Sequence, residues 1–272
     1  MRLSMILVAL AISPCAGVTA ATAEPAPLAA HRALYELQMD RSRRPSSDIA
    51  EASGTLSYEI TDACDAWASR QRLTINTVNR EGQTIELVTD YATLESKDGL
   101  SMQFRMQQMT DTAVQEEVEG RATLESIGGP GTVVYEGKTP HTMTLPAGTL
   151  FPMLHTAAII EAAEAGKKYL TVPTFDGTGD KGAQDSGIAI ASWGKSPTGP
   201  FEALAAMPSG RVRIAFFDRV RDDKTEKAPG SPDYEVGMRY YQNGVSDELV
   251  MDFSEFVLKG RMTQYTTVAP HC

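Results

Sequence analysis

Most of the chain alternates apolar and polar positions with a period of two, which marks half-buried strands. Tyr35, Leu37 and Met39 alternate with Glu36 and Gln38, and Leu56, Tyr58 and Ile60 repeat the pattern between Gly54 and Asp62. Leu73, Ile75 and Thr77 follow, then Ile85 and Leu87 within residues 83–89. Leu100, Met102, Phe104 and Met106 alternate over Ser101, Gln103 and Arg105, and Val133 and Tyr135 sit between Gly131 and Gly137. Further strands are predicted at 169–175, 187–193, 211–219 and 234–241. Asn243-Gly244 then marks a hairpin, because a type I′ turn needs two positive φ angles. The chain closes with strands at 251–258 and 261–268, divided by Gly260. The pattern predicts about fourteen strands.

One segment departs from this rhythm. Over residues 149–165, Leu150, Met153, Leu154, Ala157, Ala158, Glu161 and Ala165 follow helical spacing. Thr149 is placed to cap it, Pro152 falls in its first turn, and Gly166-Lys167-Lys168 ends it. One amphipathic helix among many antiparallel strands predicts a large curved sheet or barrel, with the helix over its open face or in its lumen. No βαβ rhythm and no internal repeat is present.

The first residues carry a different signal. Arg2 is followed by an apolar run from Met5 to Ile12, breakers at Pro14 and Gly17, and the A-x-A site Ala21-Thr22-Ala23 before Glu24. This predicts a signal peptide over 1–23 and a mature, soluble, exported domain over 24–272. The run is too short to span a bilayer. Pro14 before Cys15 spoils a lipidation motif. Net charge is −10, or −11 once the leader with its single Arg2 is set aside. So acidic a chain is ill suited to nucleic acid or to an anionic membrane.

Cleavage after Ala23 would leave two cysteines, Cys64 and Cys272. In an oxidising compartment they read as a disulfide, the alternative being two unrelated thiols. Such a bridge would close a loop worth roughly 5 kcal/mol in chain entropy as an upper figure. It would also fasten the first strands to the last. There is no C-x-x-C, so disulfide exchange chemistry is disfavoured.

Other chemistry fails on inspection. Gly177-Thr178-Gly179-Asp180-Lys181-Gly182 fits G-x-G-x-x-G by letters, but a strand follows it where a pyrophosphate-binding helix is required. Counted from Asp176, the calcium-loop positions that need Gly and Glu hold Lys181 and Gly187. No metal, nucleotide or other cofactor is expected. His31, His141, His155 and His271 have no metal-ligand spacing, and no G-x-S-x-G is present. His155 is expected in the core or lining a pocket. The acidic run 111–119 reads as the solvated side of a hairpin.

Several stretches carry a resemblance in order and spacing. They are Ala30-His31-Arg32-Ala33-Leu34-Tyr35, Ala52-Ser53-Gly54-Thr55-Leu56-Ser57-Tyr58-Glu59 with Cys64, and Leu94-Glu95-Ser96-Lys97-Asp98-Gly99-Leu100 after Thr89-Asp90. Gly120-Arg121-Ala122, Pro152-Met153-Leu154-His155-Thr156, Phe175-Asp176-Gly177 and the terminal cysteine continue it. Over residues 24–272 the chain resembles the cell-envelope integrity protein EipB family of alphaproteobacteria. The resemblance implies a mainly β fold: an antiparallel β-spiral, or broken barrel, of about fourteen strands with a helix inside. It also implies a disulfide between Cys64 and Cys272 and a periplasmic, non-enzymatic role in envelope integrity with a tetratricopeptide-repeat partner protein. The alternative is a carrier that holds a lipid or lipoprotein acyl chain in a cavity of the curved sheet, beside Leu150, Met153, Leu154, Ala157 and Ala158.

Overall fold

The computed structural model describes residues 28–42, 48–195, 201–220 and 230–270. The expected signal peptide, Cys15 and Cys272 lie outside the described residues. Eight strands come first: β1 His31–Met39, β2 Ile49–Asp62, β3 Ala66–Asn79, β4 Thr84–Ser96, β5 Ser101–Thr110, β6 Ala113–Leu124, β7 Gly131–Tyr135 and β8 His141–Leu145. The helix α1, Pro152–Glu164, follows. The return half holds β9 Tyr169–Thr174, β10 Gln184–Ile190, the two-residue β11 Gly194–Lys195, β12 Pro208–Asp218, β13 Tyr234–Tyr241, β14 Ser246–Asp252 and β15 Val257–Thr267.

All these strands form one sheet, ordered β8-β7-β6-β5-β4-β3-β2-β1-β15-β14-β13-β12-β10-β9, with β11 attached to β12. Every ladder between them is antiparallel. The chain therefore meanders out from β1 to β8, crosses through α1, and meanders back until β15 pairs with β1. A sheet this wide curls under its own twist. The fold is the mainly β, unclosed barrel with one interior helix that the sequence implied.

The open seam lies elsewhere than the cysteines suggest. First and last strands already share a ladder from His31↔Thr267 to Met39↔Leu258. Among the described residues the free edges are β8 and β9, in mid-chain, and α1 joins them.

Three local expectations are corrected. Met251–Leu258 is not one strand: β14 stops at Asp252 and a tight turn, closed by Phe253 N–H to Phe256 O at 3.1 Å, leads into β15. Gly260 then lies inside β15, where a Cβ would sit 2.8 Å from Leu37 and 3.0 Å from Leu249, so it serves close packing rather than a break. Thr149 does not cap the helix: its hydroxyl donates to the Pro146 carbonyl at 2.7 Å, and the N-cap position is Phe151, which offers no side-chain acceptor. Pro152 does open the helix. Gly166 ends it at φ 73, with N–H bonds from Gly166 to Ala163 and from Lys167 to Ala162 in a Schellman arrangement.

The helix is less amphipathic than its spacing suggests. From Phe151 to Ile160 no residue is exposed, and its polar side is confined to Glu161 and Glu164. A helix covered on every side belongs in an interior. Ile159, Ala162 and Ala163 pack with Ile188, Ile190, Val212 and Ile214 on one wall. Ala157 and Ile160 pack with Leu28 and Trp193.

Candidate functional site

The lumen has a filled end and a hollow end, and α1 divides them. At the filled end the helix N-terminus needs acceptors for its free N–H groups. Glu95, at the end of β4, supplies them: its carboxylate accepts from Met153 N–H at 2.9 Å and Leu154 N–H at 3.3 Å. The parity of β4 explains its position. Tyr91 and Thr93 face inward, so Glu95 does too, at 1% exposure, while Leu94 faces out at 41%. Burial raises the Glu95 carboxyl to about 7, against the opposing pull of the two helix N–H groups.

Around this cap the interior is aromatic. Phe104 meets Phe175 edge-on at 5.2 Å and Tyr135 at 5.8 Å, and Phe175 reaches Phe151 at 6.4 Å. The loop 175–183, which carries the glycine-rich motif, enters the lumen as the turn of the β9–β10 hairpin. Tyr91 donates its hydroxyl to the Asp176 carbonyl, and Gly182 N–H donates to the Tyr135 hydroxyl at 2.9 Å. Gly177, at φ 74, lies so close that a Cβ would stand 2.5 Å from Phe104. Asp176 is spent on Thr178, and Asp185 on Arg219. Among the described residues no three His, Cys, Asp or Glu side chains gather as metal ligands.

His155 is buried beside this end, and its environment is structural. Its Nε2 lies 2.9 Å from Ser186 Oγ, but the Ser186 hydroxyl donates to the Val172 carbonyl at 2.8 Å. The histidine must therefore donate to the serine, the reverse of what a general base does to a nucleophile. Burial lowers the His155 imidazole to about 4, which keeps it neutral.

The hollow end is a cavity of about 330 Å³ between α1 and the strands around the β1–β15 junction. Its walls are largely apolar: Leu56, Ile60 and Leu73 from one half of the sheet, and Val236, Met238, Leu249 and Met251 from the other. Tyr35, Tyr58, Gln71 and His31 add polar atoms. Tyr35 is held by donation to the Ser246 carbonyl at 2.7 Å. Burial raises the Tyr35 and Tyr58 phenols and lowers the His31 imidazole, so all three present neutral groups. Leu28 and Ala29 cross one end, where Ala29 N–H donates to the Asn243 carbonyl at 2.9 Å.

Of the helix residues expected to line a pocket, Met153 does so, joined by Thr156. Leu154 instead rests on Gly99 in the β4–β5 turn, and Ala157 packs on Leu28 and Ile160. Ala158 is half-buried away from the cavity. Leu150 pairs through its backbone with Pro173 and Phe175. Helical spacing marks burial but does not separate a packed side from a hollow one. Glu95 and the β13–β14 wall escaped the sequence reading. The signal for Glu95 was a carboxylate at an inward position of an alternating strand.

A second concavity, on the outer face, collects Arg32, Arg70, Arg72 and Arg105. Glu59, Asp90 and Glu117 pair with three of them at 2.8–3.0 Å, so much of its charge is cancelled. Cys64 is exposed at the β2–β3 turn, with φ 68 and its N–H bonded to Asp62 at 3.0 Å. Among the described residues no helix is long and apolar enough to cross a membrane.

These features agree with known proteins. A solved structure from Brucella abortus, described as a beta-barrel-like protein of domain of unknown function DUF1849, is similar at a TM-score of 0.79 and 26% identity, covering 90% of this chain and all of that one. The cell envelope integrity protein EipB of Brucella abortus (strain 2308) is 30% identical over 247 residues, which is 87% of this chain and 83% of the relative. A family profile described as EipB-like matches residues 22–269, and the chain belongs to that family.

Proposed function

We propose that this protein serves cell-envelope integrity, the role named for its relative, as a non-enzymatic periplasmic protein that holds an apolar chain in its interior cavity. The observation that carries the ligand reading is the hollow end itself. A cavity of about 330 Å³ falls at the small end of the range for ligand sites, and its walls offer apolar surface with a few neutral polar atoms. Apolar walls are poorly served by water, so a pocket lined by Leu56, Leu73, Val236, Met238 and Leu249 is suited to an apolar occupant. A single acyl chain, as carried by a lipid or a lipoprotein, matches that chemistry. Mass spectrometry of an organic extract of the purified protein should recover an acyl lipid at near-stoichiometric amount. An extract no richer in lipid than a control protein would reject the reading.

Export fits the same role. The leader 1–23 would be removed and residues 24–272 would fold as one domain. We place a disulfide between Cys64 and Cys272. Cys64 is engaged rather than free, which supports this. β2 ends beside the start of β1, and β15 ends on the other side of it, so both cysteines follow strands that finish at the same rim. Two strand spacings are about 10 Å, well within the reach of the five residues after Thr267. A thiol count on denatured, unreduced protein tests the pairing: no free thiol is expected in the mature chain, and two would refute it. A partner protein is the companion reading, favoured by one bare strand at the seam.

A further inference from the structure

The two free edges of the sheet are treated differently. On β9, the linker residue Leu150 lies along the edge: its N–H donates to Pro173 O at 3.0 Å and its carbonyl accepts from Phe175 N–H at 3.1 Å. Thr174 Oγ1 donates a second bond to that carbonyl at 3.1 Å, and Pro173 has no N–H to offer. The uncovered part of β9 is thereby reduced to Tyr169–Leu170–Thr171.

β8 has no such cover. Its ladder with β7 runs without a bulge from Gly131↔Leu145 to Tyr135↔His141. On its other side no backbone hydrogen bond to residues 141–145 is present among the described residues. Natural edges are blunted by lysine, proline, bulges or a covering segment. His141-Thr142-Met143-Thr144-Leu145 contains no Lys, Arg, Asp, Glu, Gly or Pro. Thr142 and Thr144 are exposed, and next to Thr142 lies Val134 at 46% exposure. In a chain with 22% charged residues, this edge is unguarded, its one titratable side chain being His141, whose imidazole is raised by its bonds to the Thr139 and Asp180 carbonyls.

Unpaired N–H and C=O groups at strand spacing recognise another extended chain above all. We propose that β8 is a docking edge that takes an extended, uncharged segment of a partner protein, added as one further strand. The neutral outer row of Thr142, Thr144 and Val134 argues against an acidic or basic segment. A second copy is disfavoured by geometry. The loop 175–183 stands against β8, with Asp180 O 3.1 Å from His141 Nε2 and Gly182 beside Met143. A single extended segment brings no loop of its own to this flank, whereas a second copy's β8 brings the same loop with it. The proposal is independent of the cavity reading, since the inward face of β8 belongs to the filled end.

The test begins with the full chain carrying a photo-crosslinking residue at Thr144 in the cells that export it, with Gln38 as an outer-face control. The segment trapped from Thr144 but not from Gln38 is then made as a synthetic peptide. Added to the purified protein, it should slow amide exchange at residues 141–145, and Thr142→Lys with Thr144→Lys should weaken its binding at least tenfold while the melting temperature holds. A crosslink to a second copy, no crosslink specific to Thr144, or peptide binding without protection of 141–145 would each overturn the proposal.

Discussion

The two ends of the lumen are both apolar, but one is built of interlocked aromatic rings and the other of Leu, Val and Met side chains around a cavity. At the filled end, Phe104, Tyr135, Phe151 and Phe175 interlock around a helix terminus whose N–H groups Glu95 satisfies. At the hollow end, Leu56, Met238, Leu249 and Met251 face about 330 Å³ of space. The same helix borders both, so the void is not a failure of the chain to supply apolar side chains. The filled end fixes where α1 sits, and the hollow end is free to accept something else. If so, substitutions at the two ends should differ in what they damage.

The largest effect is expected at the filled end. Phe175→Ala removes a ring at 1% exposure and leaves a gap the aromatic neighbours cannot close, so it should cost about 4 kcal/mol by chemical denaturation. A cost near 1 kcal/mol would show that this end is as loosely packed as the other.

The second effect is a pH dependence from two opposed groups. Glu95 titrates at about 7 in the folded chain against 4.5 ordinarily, so the folded state holds an extra proton between these values and its stability falls as pH rises from 4.5 to 7. His155 titrates at about 4 against 6.5, so the unfolded state holds the extra proton and stability falls as pH drops from 6.5 to 4. Between pH 4.5 and 6.5 the two slopes oppose. Glu95→Gln keeps one acceptor for the helix but does not titrate. Relative to the unmodified protein it should therefore gain about 3 kcal/mol between pH 4.5 and 7.5. Parallel curves of stability against pH would show that the carboxylate is not penalised by burial.

What the sequence disclosed follows the same division. Period-two alternation located most strands because each has one wet face, and the Asn243-Gly244 hairpin held its place between β13 and β14. It read residues 111–119 as one side of a hairpin, which β5 and β6 form, but not the extent of β6, because Glu116 falls on the inward row at the strand's exposed start and the buried run of Val118, Gly120, Ala122 and Leu124 begins late. It missed β8, whose five residues are too few to establish a period. The helix was legible in extent but not in orientation, because a helix buried on all sides has no polar stripe to point outward. The seam, the cap from Glu95 and the cavity depend on which distant strands meet, and local pattern carries no such information.

The smallest stability effect is expected at the hollow end. Met238 is half-buried and lines the cavity, so Met238→Ala leaves few packed neighbours without contact and should cost only about 1 kcal/mol. A loss of 3 kcal/mol or more would mean that the wall is packed against something the fold itself supplies.

The central claim is that the hollow end is a site for an apolar chain. The direct test is titration of delipidated protein with a fluorescent fatty acid, beside Met238→Trp, in which the indole fills the space from the wall. Saturable binding of about one probe per chain, abolished by Met238→Trp while the fold and the melting temperature persist, is the result expected. Equal binding by both proteins, or none by either, would contradict it.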